Sequence, residues 1–219
     1  MSQYTPALPV SFGIILFPAF QLLDVAGPLD ILNVVSWSHT ELTLSILSNT
    51  LDPVTSKLQM SNSTFAQSIV PTHTFSDPPA NIDVLIVPGG AGTRGNRTME
   101  IDFIRKTFPS VQYLITVCTG AALAAQAGVL AGEKATTNKN AFDWVTSRPG
   151  SETVKWMRKA RWVEGKRGKI WTTSGISAGM DGVLAWVGEV YGEDVAVDTA
   201  KKLEYVRITD WENDPFALE

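Results

Sequence analysis

The chain has 219 residues, of which 44% are hydrophobic and 18% are charged, so it can bury a substantial core, and we predict a single domain over residues 1–219. The formal net charge of -4, without any basic cluster, argues against nucleic acid and anionic membranes as partners. The single cysteine cannot form an internal disulfide, and the first residues show no secretory signal, so we expect a cytoplasmic protein.

Strand and helix patterns alternate along the chain. In chain order, the predicted elements are a strand over 10–17, a helix over 20–35 interrupted by Gly27 and Pro28, a strand over 41–47, short strands or a hairpin over 49–74, a strand over 82–90, a helix over 99–108, a strand over 111–117, a helix over 119–132, strands over 161–165 and 169–174, and helices over 177–192 and 193–206. Several of these strands are apolar on both faces, which predicts a parallel sheet covered by helices on each side.

The glycine-rich stretch 90–95, GAGTRG, follows a predicted strand and matches a dinucleotide-binding fingerprint. Such a site also needs an acidic residue about 20 positions later, where this chain has an apolar strand. A phosphate-binding loop would need Lys and Ser or Thr where Asn96 and Arg97 stand. We therefore interpret the stretch as a turn, and its backbone N–H groups could alternatively form part of an oxyanion hole.

Cys118 lies between a predicted strand and a predicted helix, and two interpretations are open. Cysteine is often an inert, buried packing residue. However, α/β proteins bind ligands at the carboxyl ends of their strands, and the small residues after Cys118 allow the sharp turn of a nucleophile elbow. At a helix start the backbone N–H groups would lower the thiol pKa, so this second interpretation predicts a reactive thiolate.

No histidine is placed to activate this cysteine, because His39 and His73 both precede it and are expected in surface or loop positions. A cysteine protease or glutaminase normally uses an imidazole to protonate its amine leaving group. A substrate without an amine leaving group could be handled by a carboxylic acid instead.

Asp24 is a carboxylate within an apolar stretch, just after the first predicted strand. It could cap the first helix or lie in its first turn. If it lies beside Cys118 instead, the two groups cannot both ionise easily, and one proton is shared between them.

Five stretches of the chain together resemble the ThiJ/PfpI superfamily, and within it most closely the isonitrile (isocyanide) hydratases. These stretches are ILFPAFQLLDVAGPLDIL, DVLIVPGGAG, VCTGAALAAQAGVLAGEKATTN, WTTSGISAGMDGVLAWV and LEYV. The resemblance implies a flavodoxin-like three-layer α/β sandwich with a mostly parallel central sheet, related to class I glutamine amidotransferases. It also implies a homodimer that acts on a small-molecule substrate and uses no metal and no organic cofactor.

The resemblance assigns roles to residues of this chain. Cys118 would be the nucleophile, Asp24 the acid, and Thr119 would supply a supporting hydroxyl and a backbone N–H, while the Gly89–Gly90 turn would supply a second oxyanion donor. Many superfamily members carry a glutamate near the position of Asp24 and a histidine after the cysteine, where this chain has Thr119. This departure favours the hydratase branch.

Two further residues are placed near the cysteine by the resemblance. Asn138 stands where the hydratases have a histidine, so it would affect substrate range if that residue shapes the pocket, or activity if it helps binding. Ile176, with its small neighbours, would pack against the cysteine elbow, in a structural role or in the pocket.

The expected function is hydration of an isocyanide to an N-formamide through a cysteine thioimidate. Two alternatives are a glyoxalase or deglycase that acts on small carbonyls, and a non-enzymatic cysteine redox sensor. The resemblance extends to the amino-terminal domains of some AraC-type regulators, which carry a helix-turn-helix region after this domain. Because this chain ends at Glu219, we expect no DNA binding.

Overall fold

The computed structural model describes residues 7–58 and 60–217. The helices are α1 (Leu22–Ser38), α2 (Thr98–Thr107), α3 (Gly120–Gln126), α4 (Phe142–Thr146), α5 (Ala178–Tyr191) and α6 (Glu193–Lys202), with a short 3-10 helix over Ala91–Arg94. The strands are β1 (Ser11–Ile15), β2 (Thr43–Ser48), β3 (Val54–Thr55), β4 (Ser68–Ile69), β5 (His73–Thr74), β6 (Val84–Val87), β7 (Tyr113–Thr116), β8 (Lys134–Ala135), β9 (Lys155–Trp156), β10 (Trp162–Gly165) and β11 (Ile170–Thr173).

Seven strands form the central sheet, in the order β10-β11-β7-β6-β1-β2-β5. All neighbouring pairs run parallel except β10 and β11, which form an antiparallel hairpin. Helices α1, α5 and α6 pack together, and α2 packs against α3. The predicted flavodoxin-like α/β sandwich with a mostly parallel sheet is confirmed.

The strand order places a topological switch point between β1 and β6. From β1 the chain moves to β2 on one side, and the later strands β6, β7 and β11 are added on the other side. At such a point the loops that follow the two adjacent strands diverge and leave a crevice at their carboxyl ends. The residues after β1, β6 and β7 therefore meet at one edge of the sheet, because these strands end in register.

The buried strands have the apolar composition that a doubly covered sheet requires. All four residues of β6 and all four of β11 are buried, so these strands are continuously apolar or small and polar rather than alternating. Burying a Val, Ile or Leu side chain contributes about 1.5–3 kcal/mol. This core holds the strand ends, and with them the loops of the candidate site, in fixed positions.

Helix α1 is continuous, although the sequence suggested an interruption at Gly27 and Pro28. Both residues are buried, and packing of the apolar face outweighs the roughly 3 kcal/mol that a proline costs inside a helix. Helix α3 is shorter than predicted and ends at Gln126, because the chain adopts a left-handed conformation at Gly128.

The short elements α4, β8 and β9 were not predicted. The structure confirms the short strands within 49–74, where β3 and β4 pair antiparallel and β5 joins the central sheet. Among the helices of residues 7–58 and 60–217, none has both the length and the apolarity needed to cross a membrane.

Gly120 lies against the end of β6, and this close approach generates a stability prediction. A Cβ atom at Gly120 would lie 2.2 Å from the carbonyl oxygen of Val87, so Gly120→Ala forces the backbone to shift. We expect the free energy of unfolding to fall by about 3 kcal/mol. Gly128→Ala is the matched control: its Cβ would meet nothing within 4 Å, so only the left-handed φ of 78° opposes it, at a cost of about 1 kcal/mol. Equal losses in guanidinium-induced unfolding of the two variants would contradict this packing argument.

Candidate active site

Cys118 lies on a sharp turn between β7 and α3. Its φ of 57° is in the left-handed region, which residues other than glycine adopt rarely and at a cost of about 1 kcal/mol or more. Two hydrogen bonds hold the turn: the Cys118 N–H donates to the carbonyl oxygen of Ser174 at 3.0 Å, and the Thr137 hydroxyl donates to the Cys118 carbonyl oxygen at 2.8 Å. This is the geometry of a nucleophile elbow.

Asp24 is in the first turn of α1, where its side chain is fully buried. Its Oδ2 accepts a hydrogen bond of 3.0 Å from the Gly89 N–H. Oδ1 is buried and has no hydrogen-bond partner of standard geometry among the described residues, and the side-chain group that interacts with the carboxyl is the Cys118 thiol. Both positions considered for Asp24 therefore apply: it lies in the first turn of α1, and its carboxyl interacts with the Cys118 thiol.

Three N–H groups from separate segments interact with the Cys118 sulfur. The Asn138 Nδ2 donates to Sγ at 3.2 Å, and the backbone N–H groups of Thr119 and Ile176 also bond to it. Asn138 is oriented by the Ala141 N–H, which donates to Asn138 Oδ1 at 2.9 Å, so its amide nitrogen must face the sulfur. These donors stabilise negative charge on the sulfur.

The pKa of the Cys118 thiol is nevertheless raised to about 12, first because the group is buried and second because Asp24 is close. Cys118 is only 5% exposed, so desolvation outweighs the three N–H donors. The expected low thiol pKa at a helix start is therefore wrong for this protein without substrate. Helix α3 has only seven residues, and its start is too enclosed for the helix dipole to decide the pKa.

Burial also raises the pKa of Asp24, to about 7, although the bonds from Gly89 and Cys118 oppose this shift. The Asp24–Cys118 pair therefore loses one proton near pH 7 and the second only in strongly basic solution. Above about pH 7 the pair therefore holds a single proton. In this state the Asp24 carboxylate can accept the proton of the Cys118 thiol and then deliver the same proton to a substrate.

The Gly89–Gly90 turn does not offer the free donor that was expected of it. The Gly89 N–H donates to Asp24, and the Gly90 N–H donates to Thr119 Oγ1 at 3.0 Å. Thr119 Oγ1 also accepts from the Thr93 hydroxyl at 3.0 Å, so the hydroxyl fixes the loop over 90–93 against the elbow. The turn thus positions the acid and the elbow, and the donors that face the sulfur come from Thr119, Asn138 and Ile176.

The residues assigned to the site from the sequence meet at this edge of the sheet, whereas the two histidines do not; they are Asp24, Gly89, Gly90, Cys118, Thr119, Asn138 and Ile176. His39 pairs with Asp198 at 2.9 Å, and His73 is in β5, where its ring bonds to Thr72. Ile176 has a left-handed φ of 51°, which turns its N–H toward the sulfur and which no sequence signal indicated. The direct contact of Asn138 with the sulfur was also missed.

A cavity of about 220 Å³ opens beside the elbow, lined by residues that include Asn138, Ser174 and Ile176. Each of these three residues forms a hydrogen bond with Cys118. Ligand pockets are usually about 300–1,000 Å³, so this space suits a small molecule. In the part of the chain that the structure describes, no group of three or more His, Cys, Asp or Glu side chains could hold a metal ion.

Known proteins resemble this chain in sequence and in structure. Residues 11–187 match the DJ-1/PfpI family. An isonitrile hydratase of Pseudomonas putida is 36% identical over 200 residues, which cover 90% of this chain and 79% of the relative.

Two solved structures share the fold. A ThiJ/PfpI family protein from Pseudomonas syringae has a TM-score of 0.70 and 24% identity, covering 95% of this chain and 83% of that one. Drosophila melanogaster DJ-1beta has a TM-score of 0.70 and 18% identity, covering 91% of this chain and 100% of that one. The family match extends over most of the chain and includes the strand ends that carry Asp24 and Cys118. The chain belongs to the DJ-1/PfpI family.

Proposed function

We propose that the protein hydrates an isocyanide, R–N≡C, to the N-formamide, with Cys118 as nucleophile and Asp24 as proton carrier. The observation that carries the proposal is the buried contact between these two groups, with three N–H donors on the sulfur. The 36% identity to an isonitrile hydratase supports the choice of substrate. We further propose that the protein works as a homodimer, in the cytoplasm, and without a cofactor.

The first step forms the carbon–sulfur bond. Asp24, as the carboxylate, accepts the thiol proton while the Cys118 sulfur attacks the terminal carbon of the isocyanide. The same carboxyl then delivers that proton to the carbon, which gives the thioimidate R–N=CH–S–Cys118. The step consumes one isocyanide and one thiol, and Asp24 ends as it began.

The second step adds water. Asp24 accepts a proton from water as the water oxygen attacks the thioimidate carbon, and it passes that proton to the imine nitrogen to give R–NH–CH(OH)–S–Cys118. This tetrahedral species collapses when the Asp24 carboxylate accepts the hydroxyl proton and the carbon–sulfur bond breaks, after which Asp24 returns the proton to the sulfur. The products are the N-formamide and the Cys118 thiolate, which the N–H groups of Thr119, Asn138 and Ile176 stabilise until it is protonated.

The two reacting groups can be tested by substitution. We expect Cys118→Ala to abolish conversion of methyl isocyanide to N-methylformamide, and Asp24→Asn to lower kcat/KM by about 10²- to 10⁴-fold, because proton transfer is lost. Asp30→Asn, on an exposed position of the same helix, is the matched control and should keep the wild-type rate. Turnover by Cys118→Ala would overturn the scheme, and lactate formation from methylglyoxal without isocyanide turnover would favour a glyoxalase.

The shared proton predicts the pH dependence. Below pH 7 both groups of the pair are protonated, so no base is available for the thiol. We expect kcat/KM to rise about tenfold per pH unit up to about pH 7 and to stay level above it. A stopped assay across pH 5 to 9, bracketing the pKa of about 7, measures this profile. A rate that falls above pH 7 would instead indicate that the fully protonated pair is active.

We expect the Asn138 side chain to stabilise the Cys118 thiolate. Asn138→Ala removes one N–H donor, so the thiol pKa should rise further and alkylation of Cys118 at pH 8 should slow about tenfold. Asn138→His keeps a ring N–H donor and should retain most of the reactivity, whereas Asn33→Ala, an exposed asparagine of α1, should leave it unchanged. The alkylation is measured by mass spectrometry. Equal alkylation rates for Asn138→Ala and wild type would rule out this role.

A further inference from the structure

We propose that Phe216 determines which substrates reach Cys118, because it stands at the cavity beside the elbow and limits the width of the molecule that can enter. Phe216 belongs to the carboxy-terminal segment, which we define as residues 205–217 and which contains no helix or strand. The substrate class in this inference rests on the proposed function, whereas the restriction of access to the sulfur does not.

Phe216 lines the same cavity as residues that are hydrogen-bonded to Cys118. Phe216 lines the same space of about 220 Å³ as Asn138, Ser174 and Ile176, the three residues bonded to Cys118. The remaining lining positions carry polar side chains, lysine or glycine, so Phe216 is the single aromatic group among the described lining residues. It is therefore the bulkiest apolar wall of an otherwise largely polar space.

A buried ion pair holds Phe216 in this position. The Phe216 N–H donates to Asp214 Oδ1 at 2.8 Å, and Asp214 Oδ2 accepts from Arg161 Nη1 at 3.3 Å. The Asp214 N–H also donates to the carbonyl oxygen of Lys159 at 2.7 Å. Arg161 and Asp214 are both buried, and breaking such a pair leaves an uncompensated buried charge, which is strongly destabilising. The position of the carboxy-terminal segment is thus fixed although it has no regular structure.

The same arginine connects the carboxy-terminal segment to the rest of the fold. Arg161 forms a second ion pair with Asp181 of α5, at 2.6 Å, and its N–H donates to the carbonyl oxygen of Trp211 at 2.7 Å. Its own carbonyl oxygen accepts from the Ser174 N–H at 2.8 Å, and Ser174 in turn accepts from the Cys118 N–H. A continuous series of hydrogen bonds therefore runs from the carboxy-terminal segment through Arg161 and Ser174 to Cys118.

The exposure of Phe216 argues against a role in the core. Its side chain is 67% exposed, so it contributes little buried apolar area to stability. A large aromatic group that is held by its backbone, exposed to solvent and placed over a small cavity is suited to contact a ligand there. Because the space is small, we infer isocyanides with a short or slender substituent as the preferred class.

The test uses the fact that Cys118 is the one cysteine of the chain, so thiol alkylation followed by mass spectrometry reports on this site alone. Wild type, Phe216→Ala and Phe216→Trp are treated with a small reagent, iodoacetamide, and a bulky one, N-phenylmaleimide. We expect the ratio of bulky to small reaction rates to rise about tenfold in Phe216→Ala and to fall in Phe216→Trp. Phe65→Ala, another exposed phenylalanine and one that does not line this cavity, is the matched control and should keep the wild-type ratio.

The same variants are then assayed with methyl and cyclohexyl isocyanide. We expect Phe216→Ala to raise kcat/KM for the cyclohexyl compound relative to the methyl compound by about tenfold. If the alkylation ratio shifts but no variant turns over either isocyanide, the proposed function fails and the access role of Phe216 stands. An alkylation ratio that is the same in wild type and in both Phe216 variants overturns the inference, whatever the turnover.

Discussion

The contact between the Asp24 carboxyl and the Cys118 thiol is the interaction on which the chemistry of this protein depends. Each group alone would be a costly buried acid, and above about pH 7 the two groups hold a single proton between them. The contact exists because the sheet order brings the loops after β1 and β7 to the same switch point, on either side of β6. Fold and reactivity are therefore linked through one pair of strand ends.

The surroundings of the pair set its proton affinity in two opposing ways. Burial raises both pKa values, while N–H donors from three separate segments favour charge on the sulfur. The balance leaves a neutral thiol in the protein without substrate, so the reactive anion forms only when the carboxylate takes up the proton. The sulfur is therefore a weak nucleophile until the Asp24 carboxylate accepts its proton.

Much of the fold could be predicted from the sequence, because a continuous apolar run such as the one before Gly89 is typical of a buried parallel strand. The position of Cys118 at a strand end followed from the same pattern. The raised thiol pKa could not be predicted, since it depends on how completely distant segments enclose the sulfur. The donor contacts of Asn138 and Ile176 were also hidden, because they arise from a loop and a left-handed residue far apart in the chain.

The β5 edge of the central sheet limits how copies of this chain can associate. The sheet ends on that side with β5, which contributes only two residues and pairs with β2 through Leu47 and Ser48. So short an edge presents few unpaired backbone groups to another polypeptide, which guards against edge-to-edge aggregation. A continuous sheet across two subunits is therefore disfavoured on this side, and any stable association there would have to use side chains of the covering helices and loops.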